Sequence, residues 1–145
     1  MIRGSCLCGA VNFEFSGDMT PIQYCHAKRC RKASGAASSV EALAPVDGFK
    51  WLSGEDKLTH YVAPLMHSPP AYRRVFCSTC GSPMPEKMEG LPFMFINPGV
   101  LDNDPKARPF RHAFTAQKAC WHEITDALPQ HEALPDGPNV YTLKT

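Results

Sequence analysis

Two short cysteine pairs are the residues of this sequence best suited to chemistry. Cys6 and Cys8 lie two positions apart near the start of the chain, and Cys77 and Cys80 lie three positions apart past its middle. A glycine follows each pair at once, and glycine readily adopts the left-handed backbone of a tight metal-binding turn. Thiolates three residues apart reach neighbouring corners of a tetrahedron without strain, whereas the pair two residues apart would be a weak signal alone. Together the four sulfurs predict one zinc site. The alternative is disulfides or free buried thiols, but cysteines two residues apart rarely reach disulfide geometry.

The composition is that of a globular protein. Of 145 residues, 43% are hydrophobic and 20% are charged, and no stretch has the length of apolar sequence that spans a bilayer. A net charge of +1 gives no general attraction to nucleic acid or to an anionic membrane. We therefore expect one soluble domain over residues 1–145, with no nucleic-acid partner and no membrane partner.

The cysteine count and the N-terminus bear on where the protein resides. The chain reaches Cys6 before any apolar signal-peptide core could form. Seven cysteines is an odd number, which argues against a closed disulfide framework. Both observations predict a reducing, cytoplasmic location.

Short strands separated by turn residues account for most of the sequence pattern. Val11, Phe13 and Phe15 alternate with polar residues, which is typical of a half-buried strand. The basic segment 25–32 predicts a loop with a helical turn that Gly35 ends, and residues 53–56 predict a hairpin turn. The proline-rich stretch 63–71 predicts an exposed loop, and the tail 121–145 predicts an extended wrap. Further strands are expected at 37–43, 49–52, 58–62, 72–76, 84–88, 93–97 and 111–114. The strands at 84–88 and 93–97 predict a hairpin, in which Pro83 and Pro85 favour an edge position. This pattern favours a mainly β sandwich or open barrel.

A second group of reactive residues lies in the basic segment. Cys25 and Cys30 stand among the cations Lys28, Arg29, Arg31 and Lys32. Such cations would lower the pKa of a neighbouring thiol, and arginine also matches carboxylates with two parallel hydrogen bonds. The alternatives are a solvated basic face and a redox-sensitive disulfide between the two cysteines.

Several motifs, in order along the chain, resemble the glutathione-dependent formaldehyde-activating enzyme family, which also includes the centromere protein V domain. They are GSCLCGAV at 4–11, YCH at 24–26, CRKASG at 30–35, SGED at 53–56, RVFC and CGS within 74–82, and KACW to LPQ within 118–130. The resemblance implies a β-tent fold, with twisted antiparallel sheets around a structural zinc. It assigns that zinc to Cys6, Cys8, Cys77 and Cys80. It also implies a carbon-sulfur lyase activity like that of S-(hydroxymethyl)glutathione synthase.

The sequence departs from the family pattern at one position. In the family a second, catalytic zinc is held by three cysteines of a CHCxxC segment, which matches residues 25–30. Here the middle cysteine is Ala27, so only Cys25 and Cys30 remain. Binding of a second zinc therefore depends on a replacement ligand. The candidates are His26, His112 and Cys120, and for His26 an orienting or packing role is favoured.

Two hypotheses follow for function. The first is a zinc-containing lyase-like enzyme that acts on an aldehyde adduct of glutathione or another small thiol. In it Cys25 and Cys30 are catalytic, as metal ligands or as a metal-free thiolate, and Arg29, Arg31 and Lys32 bind substrate. The second is a non-catalytic, zinc-stabilised binding module with a degenerate second metal site. Exposed β edges and the apolar run 93–96 would permit a homodimer.

Overall fold

The structure is a computed structural model that describes residues 1–64 and 71–134. These residues form ten strands, one α-helix and three 3-10 turns. The 3-10 turns are Glu55–Lys57, Pro98–Val100 and Thr115–Gln117, and the helix is α1 (Lys28–Ser34). The strands are β1 (Ile2–Ser5), β2 (Asn12–Phe15), β3 (Ile22–Cys25), β4 (Ser39–Pro45), β5 (Lys50–Ser53), β6 (Leu58–Val62), β7 (Arg73–Cys77), β8 (Glu86–Lys87), β9 (Phe93–Ile96) and β10 (Pro109–Ala113).

The strands of the described residues assemble into three sheets. One has the order β1-β2-β5, a larger one has the order β10-β3-β4-β9-β8, and a ribbon pairs β6 with β7. Every named pair is antiparallel except β10 and β3, which run parallel. The mainly β class predicted from the sequence is confirmed. The helix α1 is too short to cross a membrane, and no helix of the described residues is long and apolar enough to do so.

The main core lies where the three-stranded sheet faces the five-stranded sheet. Phe13 and Phe15 are fully buried on one face of β2, as their alternation with polar residues predicted. The Phe13 ring stacks on Phe49 with centroids 5.6 Å apart and meets Trp51 edge-on at 5.9 Å. The five-stranded sheet contributes Ala42, Ala44, Met94 and Ile96 to the same cluster.

Three predicted local features are confirmed and one is wrong. Gly35, with φ of 66°, ends α1, and β8 and β9 form a hairpin in which β8 is the edge strand. A strand leads directly to Cys77, as predicted. Residues 53–56 do not form a hairpin turn, because β5 pairs with β2 whereas β6 pairs with β7. Gly54, in a left-handed conformation with φ of 73°, instead redirects the chain from one sheet to the next.

Part of the predicted proline-rich loop and part of the predicted tail, residues 65–70 and 135–145, lie outside the described residues. Within 121–134 the chain contains no helix and no named strand, in agreement with the predicted extended wrap. This segment runs beside β10, where Gln130 forms a bridge with His112.

A histidine pair fastens this segment to the five-stranded sheet. The Nε2 atom of His26 lies 2.8 Å from Nδ1 of His112, and Nε2 of His112 lies 3.0 Å from a carboxylate oxygen of Asp126. The backbone of His112 donates to the Pro129 carbonyl at 2.8 Å and accepts from the His131 amide at 2.9 Å. Since both histidine rings are buried, each needs the other as a hydrogen-bond partner.

The first stability prediction concerns the tight packing around Gly4. A Cβ added there would overlap Cζ of Phe13 and lie 2.7 Å from the Val100 carbonyl oxygen, whereas a Cβ at Gly99 would meet nothing within 4 Å. We expect Gly4→Ala to lower the free energy of unfolding by about 2 kcal/mol, because the buried ring has no room to move. Urea denaturation would measure this, with Gly99→Ala as the matched control within about 0.5 kcal/mol of wild type. Equal stabilities of the two variants would contradict the packing described for Phe13.

The histidine pair makes the second stability prediction. We expect His112→Ala to cost about 3 kcal/mol of unfolding free energy, because it opens a cavity and leaves Nε2 of buried His26 without a partner. Asp126→Asn is the control, since it keeps an acceptor oxygen and the Asp126 side chain is 46% exposed. Thermal unfolding should show a much smaller change for Asp126→Asn. Similar losses in both variants would mean that the outer contact, not the buried pair, carries the stability.

Candidate metal centres

The two predicted cysteine pairs meet in space and form the first cluster, defined as Cys6, Cys8, Cys77 and Cys80. Their four sulfurs all lie within 4.8 Å of one another. The Sγ atoms of Cys6 and Cys8 are 3.5 Å apart, and those of Cys8 and Cys77 are 3.9 Å apart. A tetrahedral zinc site with bonds of about 2.3 Å separates its sulfurs by about 3.8 Å. The spacing therefore fits one zinc ion.

In each of the two turns that present these sulfurs, a glycine amide bonds back to the carbonyl of the first cysteine, over three residues in one turn and four in the other. Gly9 donates its amide to the Cys6 carbonyl at 2.9 Å, and Gly81 donates to the Cys77 carbonyl at 2.8 Å. Both glycines have φ of 74°, and a Cβ at either position would meet no atom within 4 Å. Glycine is thus required by the left-handed conformation of the turn and not by lack of space, as the sequence predicted.

Hydrogen-bond donors lower the pKa of Cys6 and Cys80. The Ala10 amide also lowers the pKa of Cys8, but the neighbouring sulfurs, Cys6 above all, raise it to about 11. The Val11 amide donates to Sγ of Cys6 at 3.3 Å. The side chain and backbone of Ser82 lower the pKa of Cys80 to about 5, and the Ser82 hydroxyl also accepts the Leu7 amide at 3.0 Å. Ser82 therefore links the two turns. Thiolates held this close together are the donor set that a zinc ion requires.

A second group of buried residues with possible metal-binding atoms includes Cys25 and Cys30. Cys25 ends β3 and Cys30 lies in α1, and their Sγ atoms are 3.2 Å apart. Ala27 packs against both, so the position between them offers no ligand. The helix begins with alanine as its N-cap, and the amide of Lys28 is satisfied instead by the Gln117 side chain at 2.9 Å. The structure thus brings together the two cysteines that the sequence singled out.

Glu41 is the residue of this site that sequence reasoning missed. It lies on β4, and a carboxylate oxygen is within 4.8 Å of both sulfurs. We define Cys25, Cys30 and Glu41 as the second cluster; their exposed fractions are 3%, 4% and 1%. Burial raises the pKa of Glu41 above its ordinary value. The available sequence signal was one acidic residue inside an otherwise apolar strand, residues 40–44.

Buried polar side chains connect the second cluster to β10. Gln23, paired with Glu41 across β3 and β4, donates its amide to the Glu41 carboxylate at 3.3 Å. Arg111 donates Nε to the Gln23 carbonyl oxygen at 2.7 Å. Arg111 thus reaches the carboxylate only through Gln23, and burial lowers the pKa of its guanidinium. The network holds the Gln23 amide in one orientation, with its N–H toward Glu41.

The three replacement ligands considered from the sequence do not join Cys25 and Cys30 among the described residues. His26 faces His112, and burial together with the charges of His112 and His122 lowers the pKa of His26 to about 4. The packing role favoured for His26 matches this arrangement. Cys120 is exposed and belongs to neither cluster.

Neighbouring groups raise the pKa of Cys30 despite its basic surroundings. Its hydrogen bond with Cys25 raises the pKa of Cys30, and burial and Glu41 raise it further, whereas Arg29 lowers it less strongly. Both cysteines are free thiols in the structure.

A cavity of about 230 Å³ opens between α1, β4, β7 and β9, and its lining includes none of Cys25, Cys30 and Glu41. Tyr72 lines the cavity and also packs against the cysteines. Arg29 lies over the Tyr72 ring at 4.9 Å, but the cavity wall contains none of Arg29, Arg31 and Lys32. The wall contains Arg74, a cation that the sequence analysis did not single out.

Comparison with known proteins shows which family the chain belongs to. The family model described as glutathione-dependent formaldehyde-activating enzyme matches residues 1–117, which include both clusters. A crystal structure of a Rhodobacter sphaeroides protein is similar in fold, with a TM-score of 0.50 and 21% identity over 73% of this chain and 97% of that chain. No curated protein sequence matches the chain. On the strength of the family match, the chain belongs to the glutathione-dependent formaldehyde-activating enzyme family.

Proposed function

We propose that the protein is a zinc-containing carbon-sulfur lyase-like enzyme that joins a small aldehyde to a small thiol and reverses that reaction. Formaldehyde and glutathione are the substrates expected first, by analogy with S-(hydroxymethyl)glutathione synthase. The observation that carries the proposal is the buried Cys25–Cys30 pair, which lies in the part of the chain that the family model matches and packs against Tyr72 of a cavity wall.

The first cluster has a structural role in this proposal. Its four thiolates fill the coordination shell of a zinc ion and leave no open position for substrate. It joins the turn between β1 and β2 to the turn that follows β7, and Cys8 and Cys77 are 69 residues apart in sequence. Closing so long a loop restricts the unfolded chain and makes folding depend on the metal.

The chemistry assigned to the second centre is an addition that needs no oxidant or further reactant. The thiol sulfur forms a bond to the aldehyde carbon, and the carbonyl π pair moves onto oxygen. The proton lost by the thiol ends on that oxygen, so the product is a hemithioacetal. The reverse reaction breaks the same carbon-sulfur bond.

The residues near the second centre have distinct proposed roles. Cys25 and Cys30 hold the metal, which when bound supplies Lewis-acid chemistry by favouring the thiolate and polarising the carbonyl. Arg29, Arg31 and Lys32 bind the carboxylates of the thiol, because α1 presents Arg29 and Lys32 to solvent. The burial of both cysteines limits the access of water to the reacting groups.

A non-catalytic binding module is the second candidate function. The observation that favours it is the burial of Ala27 against Cys25 and Cys30, at a position that offers no metal ligand. In that case the first cluster alone binds zinc, and the cavity binds a small thiol or a partner surface without reaction.

Metal content separates the two functions. We expect about two zinc ions per chain in the purified wild type and about one in Cys25→Ser, because only the second centre loses a ligand. Cys25→Ser should keep its circular dichroism spectrum and lose more than about 100-fold in the rate of hemithioacetal formation. Cys77→Ser should lose the structural zinc and unfold.

Cys120→Ser is the matched control, because Cys120 is exposed and lies outside both clusters. It should keep about two zinc ions and full activity. One zinc ion in wild type and in Cys25→Ser, with no hemithioacetal formation by either, would contradict the enzyme proposal and support the binding module.

The proposed role of Arg29 leads to a separate prediction about binding of the thiol substrate. Arg29→Gln should raise KM for glutathione about tenfold with little change in kcat, because it removes a charge-assisted hydrogen bond to a carboxylate. The control is a thiol without carboxylates, 2-mercaptoethanol, for which KM should stay within about twofold of wild type. Equal effects on both thiols would show that Arg29 acts on the packing of Tyr72 and not on substrate charge.

A further inference from the structure

We propose that Glu41 is the third protein ligand of the second metal centre, which therefore binds zinc through two thiolates and one carboxylate. This inference rests on the proposed function in one respect, since both place a metal ion between Cys25 and Cys30. It adds the ligand that the sequence lacks at position 27.

Three separate elements bring the donors to one point. Cys25 comes from β3, Cys30 from α1 and Glu41 from β4, and the donor atoms all lie within 4.8 Å of one another. In the antiparallel pairing of β3 with β4, Cys25 is opposite Ser39, two residues before Glu41 on the same face of β4. The strand register therefore aims Glu41 at the cysteines.

No cationic side chain of the described residues compensates a negative charge on Glu41. Glu41 is 1% exposed, and no lysine or arginine in residues 1–64 and 71–134 forms an ion pair with it. Arg111 contacts Gln23 instead, and Arg29 lies over Tyr72. An uncompensated buried carboxylate is costly, whereas a divalent cation between it and two thiolates removes that cost.

The surroundings of Glu41 are those of an oriented metal ligand. Gln23 donates to one carboxylate oxygen at 3.3 Å, and Arg111 holds the Gln23 side chain at 2.7 Å. Carboxylates that bind metals are commonly fixed in this way by hydrogen bonds from a second layer of residues. The bond from Gln23 occupies Oε2, which leaves the other oxygen for a metal.

The distances require little rearrangement. The sulfurs of Cys25 and Cys30 are 3.2 Å apart, and a zinc ion would hold them about 3.8 Å apart. A small rotation of either side chain provides the difference. Two thiolates and one carboxylate fill three corners of a tetrahedron, so the fourth corner stays open for a substrate.

The test measures metal, not activity. Wild type and Glu41→Gln are purified with added Zn²⁺, and zinc per chain is measured after dialysis against a weak chelator. We expect about two zinc ions in wild type and about one in Glu41→Gln, whose amide keeps the shape of the side chain but is a far weaker ligand. Glu14→Gln is the matched control, because Glu14 is a partly buried glutamate on a strand of the three-stranded sheet. It should keep both zinc ions.

Ala27→Cys in the Glu41→Gln background provides the converse test. Ala27 packs against both cysteines, so a thiolate at position 27 should restore the second zinc that Glu41→Gln loses. Cobalt loading gives a second readout, because the restored site should add sulfur-to-cobalt charge-transfer absorption to that of the first cluster, which both variants share. If Glu41→Gln does not fold, Glu41→Asp keeps the carboxylate and should weaken zinc binding at this site about tenfold.

The outcomes distinguish this inference from the proposed function. If Glu41→Gln is folded and keeps the second zinc with unchanged affinity, Glu41 is not a ligand and the inference is overturned. Wild type with only the structural zinc would overturn both proposals. If Glu41→Gln loses the second zinc but wild type forms no hemithioacetal, the inference stands and the proposed reaction fails.

Discussion

Sulfur atoms held close together in and near the protein interior are the constraint on which the rest of the structure depends. In the first cluster, neighbouring sulfurs lie 3.5 and 3.9 Å apart, and hydrogen bonds from Val11 and Ser82 favour the charged forms of Cys6 and Cys80. Thiolates at such distances repel one another unless a cation lies between them. Because the two turns belong to different sheets, the ion that relieves this repulsion would also join those sheets.

The second cluster also holds several metal-binding groups close together, but in a different environment. It is buried behind β4, and one of its members is a carboxylate that contacts no cationic side chain among the described residues. The polar network that reaches it, from Arg111 through Gln23, crosses the five-stranded sheet from β10 to β4. A central position in the largest sheet gives the cluster rigid support, which suits a site that must hold its ligands in place while one coordination position stays open.

Neighbouring residues of one short segment serve different purposes. Cys25 contributes to the second cluster, whereas His26 turns away and pairs with His112. Ala27 then begins α1 and returns the chain toward the cluster through Cys30. The histidine pair fastens residues 126–131 beside β10, so the chain after the last strand is anchored close to the second cluster. A change in the second cluster would therefore affect the histidine pair, and a change in the histidine pair would affect the second cluster.

The sequence by itself determined the local features of this protein. Glycines after the cysteine pairs, the alternation of Phe13 with Phe15 and the stop of α1 at Gly35 each depend on residues a few positions apart, and all were predicted correctly. Only the tertiary structure decided which distant elements meet. It separated β5 from β6, turned His26 toward His112 and placed Glu41 against Cys25 and Cys30. The physical reason is that strand register and sheet partners are set by packing over the whole chain. A single acidic residue within an apolar strand does not indicate which distant residues it will contact.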